Sequence, residues 1–259
     1  MYNYYFFDLD GTLVEKGSNK ISAKNLNTIK ELKRKGHVII LNTGRDLKRT
    51  LAITELCKYV DFIICSLGSL LTDNKGKVIK KETIPQDICN KVFNDLYSKL
   101  IIGYGTVDGE KIINNNDLKL YYENCKFENR EIGNIVSKEE YFEDVKNNNI
   151  LNFYFYTKEK IIGFSELSLI KSYNNCYDVN LKKVDKGYFI RTYFNTRKTS
   201  KYYAFGDGGN DVAMFVACDC SITFIDSSKE AKSKATIVSS VESKNDGVAY
   251  VLNNLLKTA

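Results

Sequence analysis

The 259-residue chain has no tryptophan, one proline, one histidine and two methionines. A single proline, Pro85, excludes collagen-like repeats and proline-rich linkers. The lone His37 excludes a multi-histidine metal centre and any chemistry that needs two imidazoles. Hydrophobic runs are short, and none nears the roughly 18 consecutive apolar residues of a membrane-spanning helix. The seven cysteines (57, 65, 89, 125, 176, 218 and 220) are odd in number and scattered, with no C-x-x-C pair of the kind that binds zinc or cycles a disulfide. They read as small buried hydrophobes of a reducing compartment. The stretch Met1-Tyr2-Asn3-Tyr4-Tyr5-Phe6-Phe7-Asp8 has no basic lead and meets an acid too early for a secretory signal. A cytoplasmic protein without membrane association is expected.

What is present is globular in balance, 43% hydrophobic and 27% charged, enough apolar surface for a real core. The net charge of +6 is uneven. Residues 83–183 carry 13 basic and 15 acidic side chains, the remainder 25 and 17. The basic excess is dispersed, as in Lys30, Lys33, Arg34 and Lys35, without interleaved aromatics to stack on bases. No nucleic-acid partner is expected; the charge suits attraction of a small anion.

Along the chain, Tyr4-Tyr5-Phe6-Phe7 is an aromatic run that stops at Asp8-Leu9-Asp10-Gly11-Thr12, as a buried parallel strand stops at a sheet edge. Ser22 is placed to cap a helix with apolar positions Leu26, Ile29 and Leu32, and Gly36 to end it. His37 to Leu41 is a second strand, ending in Asn42-Thr43-Gly44-Arg45. An amphipathic stretch from Leu47 to Cys57 precedes the strand Phe62 to Cys65. A hairpin follows around Asp73 to Lys77. From about Thr83 to Lys183 the composition shifts to Asn, Tyr and acids, with polar turns at residues 114–116 and 147–149. The alternation then resumes: helix 187–194, strand Tyr202 to Phe205, helix 212–216, strand Ser221 to Phe224 and a closing helix 247–256. This pattern predicts an α/β fold: a doubly wound parallel-sheet, Rossmann-like core of residues 1–82 and 184–259, carrying an inserted α/β cap of residues 83–183.

Two acidic clusters fall at strand ends, Asp8-x-Asp10-Gly11 and Gly206-Asp207-Gly208-Gly209-Asn210-Asp211. Oxygen ligands with one or two carboxylates suit Mg²⁺; the spacing of a calcium-binding EF-hand loop is absent. Thr43-Gly44 offers a hydroxyl and a backbone N–H near a helix start, and Lys186 precedes another helical stretch. Each alone is also what an ordinary turn or a solvated lysine looks like. Jointly they are the inventory of a phosphoryl site: cations, oxygen-directed donors and a nucleophile.

In order and context these stretches resemble the haloacid dehalogenase superfamily of phosphatases, in its Cof-type branch with a large α/β cap. The matching stretches are Phe7-Asp8-Leu9-Asp10-Gly11-Thr12-Leu13, Asn42-Thr43-Gly44-Arg45, Asp185-Lys186-Gly187, Gly206 to Asp211 and Asn245-Asp246-Gly247-Val248-Ala249. The resemblance implies Asp8 as a nucleophile that forms an aspartyl-phosphate and Asp10 as general acid and base. It implies Thr43, Gly44 and Lys186 on the phosphoryl oxygens and Asn210 near phosphate or a metal-bound water. For Mg²⁺ it implies Asp8, the backbone carbonyl of Asp10, and Asp207, with Asp211 orienting that shell. Two departures stand out: Leu67-Gly68 where the branch has Asn-Gly, and Phe224-Ile225-Asp226-Ser227 where it has Met-Gly-Asn-Ala. Both bear on substrate choice.

The expected activity is hydrolysis of small phosphomonoesters such as sugar phosphates by a monomer or weak homo-oligomer. A phosphosugar mutase and a silent binding protein on the same fold are the alternatives. Tyr104 and Tyr121 are expected in the core, not at the substrate.

Overall fold

A computed structural model describes residues 2–114, 117–128, 130–172, 175–194 and 199–254. Its chain order builds two sheets. The larger uses β1 (Tyr4–Phe7), β2 (Val38–Asn42), β3 (Phe62–Cys65), β4 (Leu70–Asp73) and β5 (Val78–Lys81). The smaller uses β6 (Ile101–Thr106), β7 (Gly109–Ile113), β8 (Asn134–Val136), β9 (Asn152–Tyr156), β10 (Leu167–Lys171) and β11 (Cys176–Leu181). The chain then returns to the first sheet with β12 (Tyr202–Phe205), β13 (Cys220–Phe224) and β14 (Ile237–Ser239). The large sheet runs β14-β13-β12-β1-β2-β3-β4-β5. Its pairs are parallel from β14 to β3, and the β4–β5 hairpin adds two antiparallel edge strands.

All four residues of β1 are buried because helices cover both faces. Tyr5, Phe7, Ile39 and Leu41 face one apolar cluster; Tyr4, Phe6, Ile40 and Ile64 face the other. The first cluster takes in residues of α1 (Ala23–Arg34), α2 (Leu47–Leu51), α3 (Thr54–Cys57) and the closing helix, residues 247–254. Ser22 caps α1 by accepting from the Asn25 N–H at 3.1 Å, and Gly36 follows the helix at φ +82°. The stretch 47–57 forms two short helices rather than one, with Asp46 capping the first.

In the smaller sheet, ordered β10-β11-β9-β6-β7-β8, only β7–β8 is a parallel pair. Helices α4 (Gln86–Leu96) and α6 (Lys138–Lys146) pack on one face, and α5 (Lys119–Phe127) on part of the other. Pro85 stands at the N-terminus of α4. The remaining helices are α7 (Val212–Val216), α8 (Lys229–Lys234) and α9 (Gly247–Asn254). The stretch 187–194 is π-helical from Ile190 to Phe194. Leu255 and Leu256 of the expected closing helix, and Asn115 and Asn116 of the first asparagine run, lie outside the described residues. Among the described residues no helix is long and apolar enough to cross a membrane, and all seven cysteines are free, five of them buried.

Candidate active site

β1 and β12 are neighbours in the sheet, and the chain leaves them toward opposite halves of it. Loops after such a pair diverge and leave a crevice at the strands' carboxyl ends. Asp8 follows β1, with its N–H bonded to the Phe205 carbonyl at 2.9 Å. The Gly206–Asp211 loop follows β12, so both acidic stretches meet there. Gly11 has φ +84°, and a Cβ at that position would stand 2.5 Å from Asp207 Oδ2, so the close approach of the two loops needs a glycine.

Lys186 reaches this point from the return of the chain. Its ammonium lies 2.5 Å from Asp8 Oδ1 and 2.7 Å from Asp211 Oδ1, and all three side chains are buried. Asn42, at the end of β2, donates from Nδ2 to the Lys186 carbonyl at 2.7 Å and so anchors that backbone. The other oxygen of Asp211 accepts the N–H groups of Asp207 (3.0 Å) and Gly208 (2.9 Å). Asp211 therefore braces the loop with one oxygen and the lysine with the other. Lys16 lies 3.0 Å from Asp207 Oδ2.

Electrostatics follow from this crowding. Burial pushes the Asp8 carboxyl well above its usual range; Lys186 opposes the shift, while Asp211 and Asp207 add to it. Asp207 is raised by burial and by Asp211, against the pull of Lys16. Burial works against the charge on Lys186, yet Asp211 and Asp8 together hold its ammonium above the usual range. Carboxylate oxygens of Asp8, Asp207 and Asp211 lie within 4.8 Å of one another. An all-oxygen set of three carboxylates, more negative charge than the ammonium groups of Lys186 and Lys16 balance, fits a hard dication. Because both Asp211 oxygens are already engaged, Asp8 and Asp207 are the side chains with capacity to hold it.

Asp10 stands apart from that cluster. Arg45 grips it with two bonds, Nε to Oδ2 and Nη2 to Oδ1, both 2.7 Å. The same guanidinium donates to the Ser18 carbonyl and to Asn19 Oδ1. Against the upward push of burial, Arg45 holds the Asp10 carboxyl below its usual range. Thr43 is buried, and its Oγ1 accepts the Arg45 N–H at 3.2 Å. Gly44 and the exposed Asn210 line the same cavity.

That cavity, about 550 Å³, lies between the two sheets. Its lining brings Asp8, Asp10, Thr43, Gly44, Asp207 and Asn210 together, with Lys186 and Asp211 immediately behind them. Its roof comes from the smaller sheet: Glu110 on β7, Tyr154 and Tyr156 on β9, Cys176 and Asp178 on β11, and Arg130 after α5. None of these roof residues was singled out from the sequence, nor were Lys16, Arg49 or the grip of Arg45 on Asp10. Tyr104 and Tyr121 are wholly buried, Tyr104 bonded to Asp144 at 2.9 Å.

Acids, a buried lysine and a threonine stand at the switch point of a doubly wound sheet, under a second sheet, which is where α/β enzymes place their ligand sites. The chain belongs to the haloacid dehalogenase-like hydrolases, whose family profile matches residues 5–252. It is similar over nearly its whole length to a Buchnera aphidicola protein provisionally named a phosphatase (27% identical, 98% of this chain and 97% of that one). It is also similar to the Bacillus subtilis 5-amino-6-(5-phospho-D-ribitylamino)uracil phosphatase YwtE (26% identical, 96% of each chain). The solved structure of the phosphatase BT1666 from Bacteroides thetaiotaomicron has the same fold (TM-score 0.81, 23% identity, 98% of this chain and 94% of that one). Family and full-length relatives together make this chain an enzyme of the phosphatase class.

Proposed function

We propose that the protein hydrolyses small phosphomonoesters, of the sugar-phosphate kind, in a Mg²⁺-dependent reaction through an aspartyl-phosphate on Asp8. The observation that carries this reading is the Asp8–Lys186–Asp211 arrangement: a buried carboxylate at the cavity floor, beside an ammonium that offsets the repulsion between carboxylate and phosphate. In the first step an Asp8 oxygen bonds to phosphorus as the ester oxygen leaves with a proton from Asp10. In the second, water attacks phosphorus, gives its proton to Asp10, and returns Asp8 with free phosphate. Thr43 and the Gly44 N–H hold phosphoryl oxygens, Asn210 approaches from the rim, and Lys186 balances their charge. Mg²⁺, held by Asp8 and Asp207 with the backbone carbonyl of Asp10, supplies further neutralisation of the phosphoryl oxygens. The name of the YwtE relative supports a phosphorylated small metabolite as substrate.

Residues 1–82 and 184–259 act in this reading as the catalytic core, and 83–183 as a cap over the cavity. The cap leaves and rejoins the core at one place, where Glu82 and Lys183 pair at 2.8 Å. Free cysteines suit a reducing, cytoplasmic setting.

The test is phosphate release from a panel of phosphomonoesters, with Mg²⁺ and with chelator, for the wild-type protein and Asp8→Asn. Metal-dependent release of free phosphate is expected, falling at least ~10³-fold in the variant, with thermal unfolding still cooperative. Near-normal turnover by Asp8→Asn overturns the covalent route, and an isomerised phosphosugar without free phosphate indicates a mutase.

A further inference from the structure

The cavity's charges sort into pairs with two left over. On the core side Asp8 is matched by Lys186, Asp10 by Arg45 and Asp207 by Lys16. On the cap side Arg130 meets Glu110 at 2.6 Å and Glu128 at 2.7 Å, the latter an ion pair whose Nε–H is not aligned for a hydrogen bond. Its Nη2 also donates to Tyr156 at 2.9 Å and to Asn124 at 3.0 Å. Three of its five N–H groups are engaged in hydrogen bonds within the cap, and its Nε edge faces Glu128. Among the described residues, the charged side chains of the lining with neither a hydrogen bond nor an ion pair are Arg49 and Asp178.

Their positions differ. The charge of Arg49 is felt at Asp10 on the core side and at Glu110 on the cap side. The groups that act on Asp178 are Glu128, Glu110 and Arg130, all of the cap. Strand alternation sends Tyr177, Val179 and Leu181 of β11 into the cap's apolar cluster and leaves Asp178 on the opposite face, beside Tyr154. The far wall therefore presents three carboxylates against one guanidinium that is already shared.

We propose that Asp178 is a specificity residue that binds a protonated amine on the leaving-group part of the substrate, so that amino-sugar or amino-alcohol phosphates are the preferred esters. This rests on the phosphomonoesterase reading above. A second anionic group on the substrate would meet Asp178 and Glu128 with no free cation among the groups that act on Asp178. A hydroxyl would bond to Asp178 but leave the excess negative charge in place. An ammonium cancels it and restores full ionisation to a carboxylate that burial, Glu128 and Glu110 otherwise push up to about 7. The cavity volume suits a ligand the size of a phosphorylated hexose.

The experiment measures kcat/KM at neutral pH for amine and hydroxyl partners of equal size: glucosamine 6-phosphate against glucose 6-phosphate, and phosphoethanolamine against ethylene glycol monophosphate. 4-Nitrophenyl phosphate serves as the reference ester. The amine-bearing ester of at least one pair is expected to be about tenfold better in the wild-type protein. That ratio should fall toward one in Asp178→Asn and return in part in Asp178→Glu. Hydrolysis of the reference ester with neither amine ester faster than its hydroxyl partner overturns the inference alone. So does a preference that survives Asp178→Asn. No hydrolysis of the reference ester or of any other removes the phosphomonoesterase reading, and the inference with it.

Discussion

Arg45 and Asp10 are 35 positions apart, and what joins them is the position of two neighbouring strand ends, β1 and β2, in the sheet. The two-pronged grip fixes where the Asp10 carboxyl points and also lowers its affinity for a proton. A group that donates a proton to a leaving alcohol is active when protonated, so activity falls as pH rises through its pKa. Removing Arg45 takes away the strongest of the influences that lower that pKa, so burial, which raises it, is opposed only by the Gly17 N–H and by Arg49. In Arg45→Ala the alkaline limb of kcat/KM against pH is therefore expected to move upward by about 1 unit or more, with a lower plateau because the carboxyl is no longer held in place. An alkaline limb at its wild-type position would mean that Asp10 is not the titrating donor.

At the scale of elements, the turn after β3 shows what the backbone demands. Ser66, Leu67 and Gly68 have φ values of 51°, 57° and 93° in succession. A Cβ on Gly68 would stand 2.3 Å from the Asp185 carbonyl oxygen, which is backbone next to Lys186 and has no side-chain freedom to yield. Gly68→Ala is expected to cost about 2–4 kcal/mol. Leu67 sits in left-handed geometry where asparagine is the better tolerated residue, so Leu67→Asn is expected to gain about 0.5 kcal/mol. Chemical unfolding of both variants checks the pair, and an unchanged midpoint for Gly68→Ala would contradict the close approach. The same local logic explains why the floor of the cavity was legible in sequence. Asp8, Thr43 and Asp207 each come within two residues of the end of a short apolar run, and the residues that end a buried strand must stand at the sheet's edge. The role of Asn42 is not legible in its motif, because only the fold brings the Lys186 carbonyl to its amide.

At the scale of the molecule, the cap wall was not legible, and alternation is the reason. In Phe153-Tyr154-Phe155-Tyr156 the two phenylalanines enter the cap's apolar cluster while both tyrosines line the cavity, yet the run reads as uniformly aromatic. Glu110, Arg130 and Asp178 come from distant segments, and sheet order alone sets them side by side. Their assembly has a consequence for stability. The Asp178 carboxyl has a pKa of about 7 in the folded protein against 3.8 as the ordinary value. Between these values the folded state holds a proton that the unfolded state has lost, so stability declines as pH rises from about 4 to about 7 and is level above. Asparagine cannot ionise and escapes that decline. Asp178→Asn is expected to match the wild-type protein below the ordinary carboxylate range and to exceed it by about 1–3 kcal/mol at pH near 8. Denaturant midpoints across this range measure the difference, and a gap of constant size at every pH would show that folding leaves the Asp178 pKa unchanged.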